Sequence, residues 1–264
     1  MKPKGSSTQL KKSKERAPVK RHVWFNGISG RMGEETSQLL QHHKTLVLAG
    51  GSDQSTEITS QVSVSSFHSA ELVIDFSSPA GNAALLNSAA SSSGQCFLIG
   101  TTGLDGKLLK KWEKLAQQNE LLVVSAANTS FGIYILAKQV GAMAAVLTAE
   151  NWDIEIIETH HNKKQDSPSG TALLLARMIS KACPGYQVTA GRSKARQAKS
   201  VGIHSVRGGG VFGEHQIRFI AQHEELEVTH RAFSRALFAE GALVLGERLL
   251  KSKKRGFYLL EDFE

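Results

Sequence analysis

Apolar residues in the first half of the chain follow two alternating patterns. Short continuous apolar runs, which are typical of buried strands, occupy residues 22–26, 46–49, 72–76, 96–99 and 121–125. Between these runs, apolar side chains recur every three or four residues, which predicts helices over residues 31–43, 79–91 and 107–119. Residues 52–70 are polar and rich in Ser and Thr, so we expect a loop there, with at most one edge strand. The alternation of strands with such helices predicts βαβ units around a parallel sheet.

The pattern changes after residue 147. Ile154 and Ile156 alternate with Glu155 and Ile157, as in a strand with two different faces. Further strands are predicted over residues 202–206, 214–220 and 226–230, and helices over residues 169–182 and 234–250. This half is therefore predicted to be α+β, with a mostly antiparallel or mixed sheet.

One segment is apolar enough to resemble a membrane helix. Residues 131–147 are almost continuously apolar, but Lys138 and Gln139 lie near the centre of the segment. A spanning helix needs about 20 apolar residues with few charges. We therefore predict a buried helix of a globular domain and no membrane segment.

The net charge of +8 is concentrated at one end of the chain. Residues 1–22 hold eight Lys or Arg and one Glu, so the remaining residues carry only about one net positive charge. A basic tail on a nearly neutral fold removes the main support for specific nucleic-acid binding. The tail lacks the apolar stretch of a secretory signal and, being Lys-rich without an apolar face, is a poor transit peptide. We expect residues 1–21 to form a flexible, solvated extension, with a weak polyanion contact as the alternative.

Composition indicates a folded protein of a reducing compartment. The chain has 264 residues, of which 41% are hydrophobic, so it can form one large domain or two smaller ones. Cys96 and Cys183 are too few for a disulfide framework, which favours the cytoplasm.

A glycine-rich turn follows the first predicted strand and opens the first predicted helix. Glycines allow close backbone approach, and the helix N-terminus offers free N–H groups to a pyrophosphate. The spacing here is G-x-x-G-x-x-G, which is less specific than the usual dinucleotide fingerprint, and a tight turn without a ligand is the alternative. The candidate cofactor-binding residues of this turn are Gly27, Ile28, Ser29, Gly30, Arg31 and Met32.

Asp53 lies 20 residues after Gly33, at the end of the second predicted strand. A carboxylate at this place can accept hydrogen bonds from ribose hydroxyls and would repel a 2′-phosphate. We therefore favour NADH over NADPH, although Arg31 could reach a phosphate and dual use stays open. A loop aspartate without a ligand is the alternative.

Two further segments follow predicted strands. Open α/β sheets bind ligands at the carboxyl ends of their strands, and small residues let a flat ring approach the backbone. The additional candidates for cofactor binding are Gly100, Thr101, Thr102, Ala126, Ala127, Asn128 and Thr129.

The densest group of chemically active residues spans residues 158–171. His160, His161 and Lys164 can deliver protons or hold carboxylates. Ser169 and Thr171 open the next helix, whose N-terminus is a second anion site. A solvated polar loop is one alternative. Metal binding is another, but adjacent strand histidines point to opposite faces, so we predict no metal site.

The glycine-rich segment 207–215 is ambiguous. On its own it is best interpreted as a hairpin turn.

Together these motifs resemble the dihydrodipicolinate reductase family. The family's E-x-H-H-x-x-K-x-D-x-P-S-G-T-A run is matched at every fixed position from Glu158 to Ala172. Shorter family motifs stand at Gly27–Gly33, Asp75–Pro79, Gly100–Gly103, Val206–Gly209, Gly213–His215 and Thr229–Arg235. The resemblance runs from about residue 22 to the end of the chain.

The resemblance implies an α/β fold, with a Rossmann-type nucleotide-binding domain and an α+β domain for substrate binding and tetramerisation that contains a mixed sheet. It places the first domain at residues 22–129, the second at 130–234 and a segment returning to the first at 235–264. It implies NADH- or NADPH-dependent reduction of a cyclic hydroxy-tetrahydrodipicolinate, a dicarboxylate, with loss of water, by a cytoplasmic homotetramer of the diaminopimelate–lysine pathway.

The resemblance also assigns roles to residues. By position, His160 resembles the proton donor and Lys164 the second catalytic group. The implied substrate contacts are His161, Ser169, Gly170 and Thr171. Arg235 and Phe238 resemble residues near the nicotinamide.

The sequence departs from the family pattern in four places. Thr129 replaces a usual aromatic residue, Tyr134 a usual Asn and Gly210 a usual Asp, and residues 54–70 are shorter than in typical members. These departures concern cofactor preference and rate more than the activity itself.

Two other functions remain open from the sequence. One is a related two-domain Rossmann dehydrogenase that acts on an imine or amino acid, which would not need the His-His-x-x-Lys run. The other is a non-enzymatic NAD-binding sensor that uses the basic tail.

Overall fold

The computed structural model describes residues 20–53, 64–192 and 195–263. The first half of the chain folds as β1 (Arg21–Asn26), α1 (Arg31–Gln41), β2 (Leu46–Ser52), α2 (Val64–Ser69), β3 (Leu72–Asp75), α3 (Pro79–Ala89), β4 (Cys96–Ile99), α4 (Gly106–Gln118) and β5 (Leu122–Ser125). The second half folds as α5 (Phe131–Ala149), β6 (Asp153–His160), α6 (Gly170–Ala182), β7 (Gln187–Ala190), β8 (Ser200–Arg207), β9 (Gly213–Ile220), β10 (Glu225–Ala232), α7 (Ala236–Lys251), β11 (Gly256–Leu259) and a 3-10 turn (Leu260–Asp262).

The first sheet is parallel and buried on both faces. Six strands of the described chain form it in the order β11-β5-β4-β3-β1-β2. Its central strands read as continuous apolar runs because helices cover both sides, and Leu72–Asp75 is fully buried. One apolar cluster joins the sheet to α1 and α7, and another joins it to α2, α3 and α4. The predicted parallel sheet is confirmed.

The chain order of the strands reverses at β1, which lies between β2 and β3. In open α/β sheets a ligand crevice forms at the carboxyl ends of the strands beside such a reversal. The glycine turn follows β1 at this point.

The second sheet is mixed. In the described residues its order is β10-β9-β6-β8-β7, with β6 parallel to β8 and antiparallel to β9. The even-numbered residues of β6, including Ile154 and Ile156, are buried against α5 and α6, while the odd-numbered ones are partly exposed. The mixed sheet is the one predicted.

The structure corrects five details of the sequence prediction. Residues 64–69 form α2 rather than loop, and β2 continues through its two glycines to Ser52. Strands β7 and β11 were not predicted. The segment after Arg207 is not a hairpin turn, because β6 lies between β8 and β9.

Two predictions concern regions outside the described residues. The basic extension, except for its last residues from Lys20, is one, and the central part of the polar segment, residues 54–63, is the other.

Helix α5 is long and apolar enough to cross a membrane by length and composition alone. One face of it, with Ile133, Val140 and Ala144, packs into the core of the second sheet and α6. This packing is that of the core helix predicted from the sequence.

A buried carboxylate connects the glycine turn to the sheet. Asp75 ends β3 and is fully buried. It accepts hydrogen bonds from the amides of Asn26 and Asn82, each at 2.7 Å, and from the hydroxyl of Ser77 at 2.6 Å. Asn82 in turn accepts from the indole N–H of Trp112 at 2.9 Å. The network holds the end of β1 against the start of α3.

We expect Asp75→Ala to reduce the free energy of unfolding by about 1–3 kcal/mol for each buried donor left without an acceptor. Urea denaturation measures the loss. Asp105→Ala is the matched control, because the exposed Asp105 caps α4 and its loss costs about 1 kcal/mol. Equal effects of the two substitutions would contradict the role given to the Asp75 network.

Candidate active site

The glycine turn presents a helix N-terminus without a side-chain cap. Gly30 is the N-cap of α1, and no side chain among the described residues caps that end. By contrast, side chains cap the starts of α3, α4, α5 and α6. The free N–H groups of α1 therefore remain available to an anion.

The turn is packed so closely that its glycines cannot be replaced without movement. Gly27 has a φ of +89°, in the region that favours glycine. A Cβ on Gly33 would lie 2.2 Å from the carbonyl oxygen of Ile28 and 2.5 Å from that of Gly27. Glycine at position 33 thus lets α1 start directly against the turn, as a dinucleotide site requires.

Asp53 lies beside this turn. Its carboxylate accepts a hydrogen bond of 3.0 Å from the backbone N–H of Ser29. The acid is thereby held at the end of β2, where a ribose would lie across the helix N-terminus. The turn and the acid together fit a nicotinamide dinucleotide.

Adjacent strand ends continue the surface from this turn towards the second sheet. A Cβ on Gly27 would lie 2.6 Å from the carbonyl oxygen of Phe76, so the turn touches the end of β3. The N–H of Ser77 donates to the hydroxyl of Thr101 at 2.9 Å, which joins the ends of β3 and β4. The amide of Asn128, after β5, then donates to the hydroxyl of Thr171 on α6 at 2.8 Å.

A cleft of about 790 Å³ lies between the two sheets. On the side of the first sheet, the lining includes Thr101, Thr102, Ala127 and Asn128, which follow β4 and β5. On the side of the second sheet, it includes the predicted catalytic and substrate residues His160, His161, Lys164, Ser169, Gly170 and Thr171. The two groups of candidates therefore face one space.

Other predicted residues lie outside the lining of this cleft. One group follows β1 and β2, at the end of the first sheet away from β5, and comprises Gly27, Ile28, Ser29, Gly30, Arg31, Met32 and Asp53. The lining also lacks Gly100, Ala126 and Thr129. Thr129 is buried, and its hydroxyl donates to the backbone carbonyl of Phe238 at 2.8 Å. The departure at position 129 thus anchors α7, whose Phe238 and preceding Arg235 both line the cleft.

His160 is held by a buried carboxylate. Nδ1 of His160 lies 2.5 Å from Oε2 of Glu158, which is fully buried. Arg207 donates to both oxygens of Glu158, at 2.9 Å and 2.8 Å. Burial raises the pKa of Glu158, but hydrogen bonds from Arg207, Ser205 and His160 outweigh it and lower the pKa to about 2. Burial also lowers the pKa of His160, against the opposing effect of Glu158.

His215 forms the wall behind His160. The two rings are 5.2 Å apart and nearly perpendicular. Burial lowers the pKa of His215 to about 3, so its ring is neutral at neutral pH. Nε2 of His215 lies 3.1 Å from the hydroxyl of Ser169, which also accepts the N–H of Ala172 as the cap of α6.

The loop after β6 carries a cation into the cleft. Nζ of Lys164 lies 2.8 Å from Oδ1 of Asp166, and the backbone N–H of Lys164 donates to the carbonyl of His161. The first two residues of α6, Gly170 and Thr171, have N–H groups with no partner inside the helix. Cation and helix end together make this side of the cleft favourable for carboxylates.

Sequence reasoning gave no role to Glu158, Arg207 or His215. All three stand in matched motifs, and the spacing of Glu158 and His160 by two residues on a strand places both side chains on one face. That spacing is the sequence signal from which a contact between Glu158 and His160 could have been predicted. Nothing in the sequence indicated that Arg207 would reach across from β8.

The described residues contain no group of three or more His, Cys, Asp or Glu side chains arranged to hold a metal ion.

Comparison with known proteins identifies the family. A family model described as dihydrodipicolinate reductase, N-terminus, matches residues 21–129, and one described as dihydrodipicolinate reductase, C-terminus, matches residues 132–263. This chain belongs to the dihydrodipicolinate reductase family.

Curated relatives agree over nearly their whole length. The 4-hydroxy-tetrahydrodipicolinate reductase of Caulobacter vibrioides is 34% identical over 253 residues, covering 93% of this chain and 96% of its own. That of Exiguobacterium sp. is 38% identical over 239 residues, covering 89% and 92%. Members of this family are nicotinamide-dependent oxidoreductases, and this chain is one of them.

Solved structures show the same fold. The dipicolinate-bound dihydrodipicolinate reductase from Paenisporosarcina sp. TG-14 has a TM-score of 0.76 at 24% identity, covering 93% of this chain and 100% of that one. A DAP dehydrogenase of C. glutamicum, solved in complex with DAP, has a TM-score of 0.56 at 11% identity, covering 92% and 94%. The dehydrogenase considered as an alternative thus shares the fold alone.

In this dihydrodipicolinate reductase family member, we expect Gly33→Ala to weaken NADH binding at least about tenfold, since the added methyl group forces the turn to move and misplaces the N–H groups. Isothermal titration with NADH measures the affinity. Gly106→Ala is the control, because a Cβ at Gly106, in the first turn of α4, meets no atom within 4 Å. Unchanged affinity in Gly33→Ala would be evidence against a dinucleotide site at this turn.

Proposed function

We propose that this chain catalyses the NAD(P)H-dependent reduction of 4-hydroxy-tetrahydrodipicolinate to tetrahydrodipicolinate, with loss of water, in diaminopimelate and lysine biosynthesis. The observation that carries the proposal is that His160, Lys164 and the start of α6 face the same cleft as Thr101 and Asn128. The reductase names of relatives that align along almost the whole chain support it.

The substrate side is the second unit. A dicarboxylate can bind the N–H groups of Gly170 and Thr171, with His161 and Lys164 supplying positive charge or hydrogen bonds. Ser169 contributes through its place as the cap of α6, because its hydroxyl already serves Ala172.

The cofactor side is the first unit. Gly27 to Met32 and Asp53 would hold the pyrophosphate and the ribose, and residues 100–102 and 126–129 the nicotinamide end. When bound, the cofactor supplies the hydride. The remaining task of the chain is to orient the ring, exclude water and deliver one proton, since the overall reaction consumes a hydride and a proton and releases one water.

His160 is the proposed source of that proton. Hydride addition leaves electron density towards the ring nitrogen, and a protonated group beside it stabilises that charge as it develops. Lys164 is the proposed second catalytic group, oriented by Asp166.

We further propose that residues 22–129 and 235–264 form the nucleotide-binding unit and residues 130–234 the substrate unit. Among the described residues, α5 and α6 cover one face of the second sheet, and the other face carries the partly exposed Glu155, Ile157 and Thr159. That face is available for packing between subunits of a homotetramer. Two buried free thiols, Cys96 and Cys183, are consistent with the cytoplasm.

The first test is NADH and NADPH oxidation at 340 nm, with the substrate made in situ by the preceding synthase. We expect His160→Gln to lower kcat by about 10²–10⁴-fold, the usual contribution of a general acid. His204→Gln is the control, since His204 pairs with Glu155 and does not line the cleft. Lys164→Ala should raise KM for the substrate and lower kcat, while Lys163→Ala, next to it and exposed, should do neither. Full activity of His160→Gln would refute the role of His160, and absence of oxidation by the wild type would refute the activity.

The same assay tests cofactor preference. We expect a higher kcat/KM for NADH than for NADPH, because the Asp53 carboxylate repels a 2′-phosphate. Asp53→Ser should narrow that ratio by raising the value for NADPH and lowering the value for NADH. Glu113→Gln removes an exposed charge from α4 and should leave the ratio as it is. A higher kcat/KM of the wild-type enzyme for NADPH would contradict the predicted preference for NADH.

A further inference from the structure

Glu158 is a buried carboxylate directly behind His160. The exposed fraction is 0% for Glu158 and 8% for His160. Along β6, side chains alternate between faces, so Glu158 and His160 follow Ile154 and Ile156 on the buried face. Along this face, the first two buried residues are aliphatic and pack in the core, and the next two are an acid and an imidazole at the candidate active site.

Both oxygens of Glu158 are fully used. Oε2 accepts from Nδ1 of His160 at 2.5 Å and from Arg207 at 2.9 Å. Oε1 accepts from Arg207 at 2.8 Å and from the backbone N–H of Ser169 at 3.2 Å. A carboxyl group with these donors is ionised at neutral pH. One group thereby joins β6, β8 and the start of α6.

An ionised carboxylate can only accept hydrogen bonds, so it determines the tautomer of His160. The proton of the neutral ring lies on Nδ1, and Nε2 has the lone pair. Nε2 therefore gains the second proton when the ring becomes an imidazolium, and Nε2 is the atom that can release it.

The charged groups around His160 have opposite effects on its imidazolium form. Lys164, from the following loop, and Arg207, from β8, disfavour the imidazolium, as does burial. His215, from β9, is neutral, and Asp166 is paired with Lys164. Glu158 is the negative charge that contacts the imidazole ring and favours its charged form.

We propose that Glu158 is a positioning residue for the reduction: it keeps the Nδ1 proton of His160 in place, so that Nε2 donates, and its charge stabilises the imidazolium form. The proposal rests on the proposed role of His160 as proton donor. Glu158 also accepts the backbone N–H of Ser169, the N-cap of α6. The Glu158 carboxylate therefore also sets the distance between His160 and the end of α6 that is proposed to bind the substrate carboxylate.

A purely structural role makes a different prediction. A buried Glu–Arg pair can be retained for stability, and its removal then lowers the population of folded enzyme without changing the chemistry of that population. The positioning role and the structural role predict different effects of a Glu158 substitution. They differ in the pH profile of kcat, in whether kcat or KM changes, and in whether the effect requires His160.

The first experiment is the pH profile of kcat for Glu158→Gln. The active form of a general acid is protonated, so kcat falls on the alkaline side as His160 loses its proton. Removing the carboxylate charge lowers the pKa of His160, so we expect the alkaline limb to move to lower pH by about one unit or more. At neutral pH kcat should fall about tenfold or more, and KM for NADH should stay as it is. Glu158→Asp retains the charge and should keep the limb near its wild-type position.

The control is a matched cluster on the same strand. Glu155 contacts His204 at 2.7 Å and Arg192 at 2.8 Å, so it also joins a carboxylate, an imidazole and a guanidinium. It lies on the opposite face of β6 and does not line the cleft. Glu155→Gln should leave the alkaline limb and kcat unchanged, with subunit association checked by light scattering.

A double-substitution cycle tests whether Glu158 acts through His160. In the His160→Gln background, Glu158→Gln should cost little further kcat, since the group it serves is absent. Independent, multiplying losses would overturn the proposal. Wild-type activity of His160→Gln would instead refute the proposed role of His160, so the two failures are distinguishable.

Nuclear magnetic resonance gives a readout that does not depend on activity or on a folded Glu158 variant. In wild-type protein, two-bond ¹⁵N–¹H spectra show which ring nitrogen of His160 carries the proton, with the signals assigned by their loss in His160→Gln. We expect a proton on Nδ1. A neutral ring with its proton on Nε2, or a limb that does not move in Glu158→Gln, would overturn the proposal.

Discussion

A carboxylate removed from water must have its oxygens supplied with hydrogen-bond donors, and this requirement organises both units of the protein. In the first unit, Asp75 at the end of β3 collects the amides of Asn26 and Asn82. In the second, Glu158 near the end of β6 collects Arg207 and the start of α6. Each acid therefore determines where the surrounding strand end and helix start must lie. The second of these acids lies beside the cleft, whose lining includes His160 and Ser169.

The two buried acids differ in the donors they use, and the difference follows their surroundings. Asp75 is bound by neutral amides and a hydroxyl, and it connects parts of the scaffold below the glycine turn. Glu158 is bound by a guanidinium and an imidazole, so it belongs to a charged network that opens to the cleft. The first network holds the strand ends beside the glycine turn in shape, and the second places the His160 imidazole against the cleft.

Contacts between the units complete the cleft. Asn128 donates to Thr171 across it, so the end of β5 and the start of α6 are held together. The last residues of the chain add to this contact: β11 extends the first sheet, and the turn that follows pairs Glu261 and Asp262 with Arg177 and Lys181 of α6. The chain thus contacts α6 where it leaves the first sheet after β5 and again after β11.

The sequence by itself determined the parallel sheet of the first half, the mixed sheet of the second half and the family, because strand and helix periodicities and short motifs depend on residues close together in the chain. It also brought His160, Lys164 and Thr171 into one group, since they lie within a dozen positions. It did not reveal β7, β11 or α2, whose short segments carry too weak a pattern and are stabilised by the neighbours they pack against. Only the tertiary structure decided that Arg207 reaches Glu158 rather than sitting in a hairpin turn, because β6 lies between β8 and β9 and long-range pairing leaves no local mark. The same reason applies to Thr129 and Phe238, which are far apart in the chain and meet only after folding.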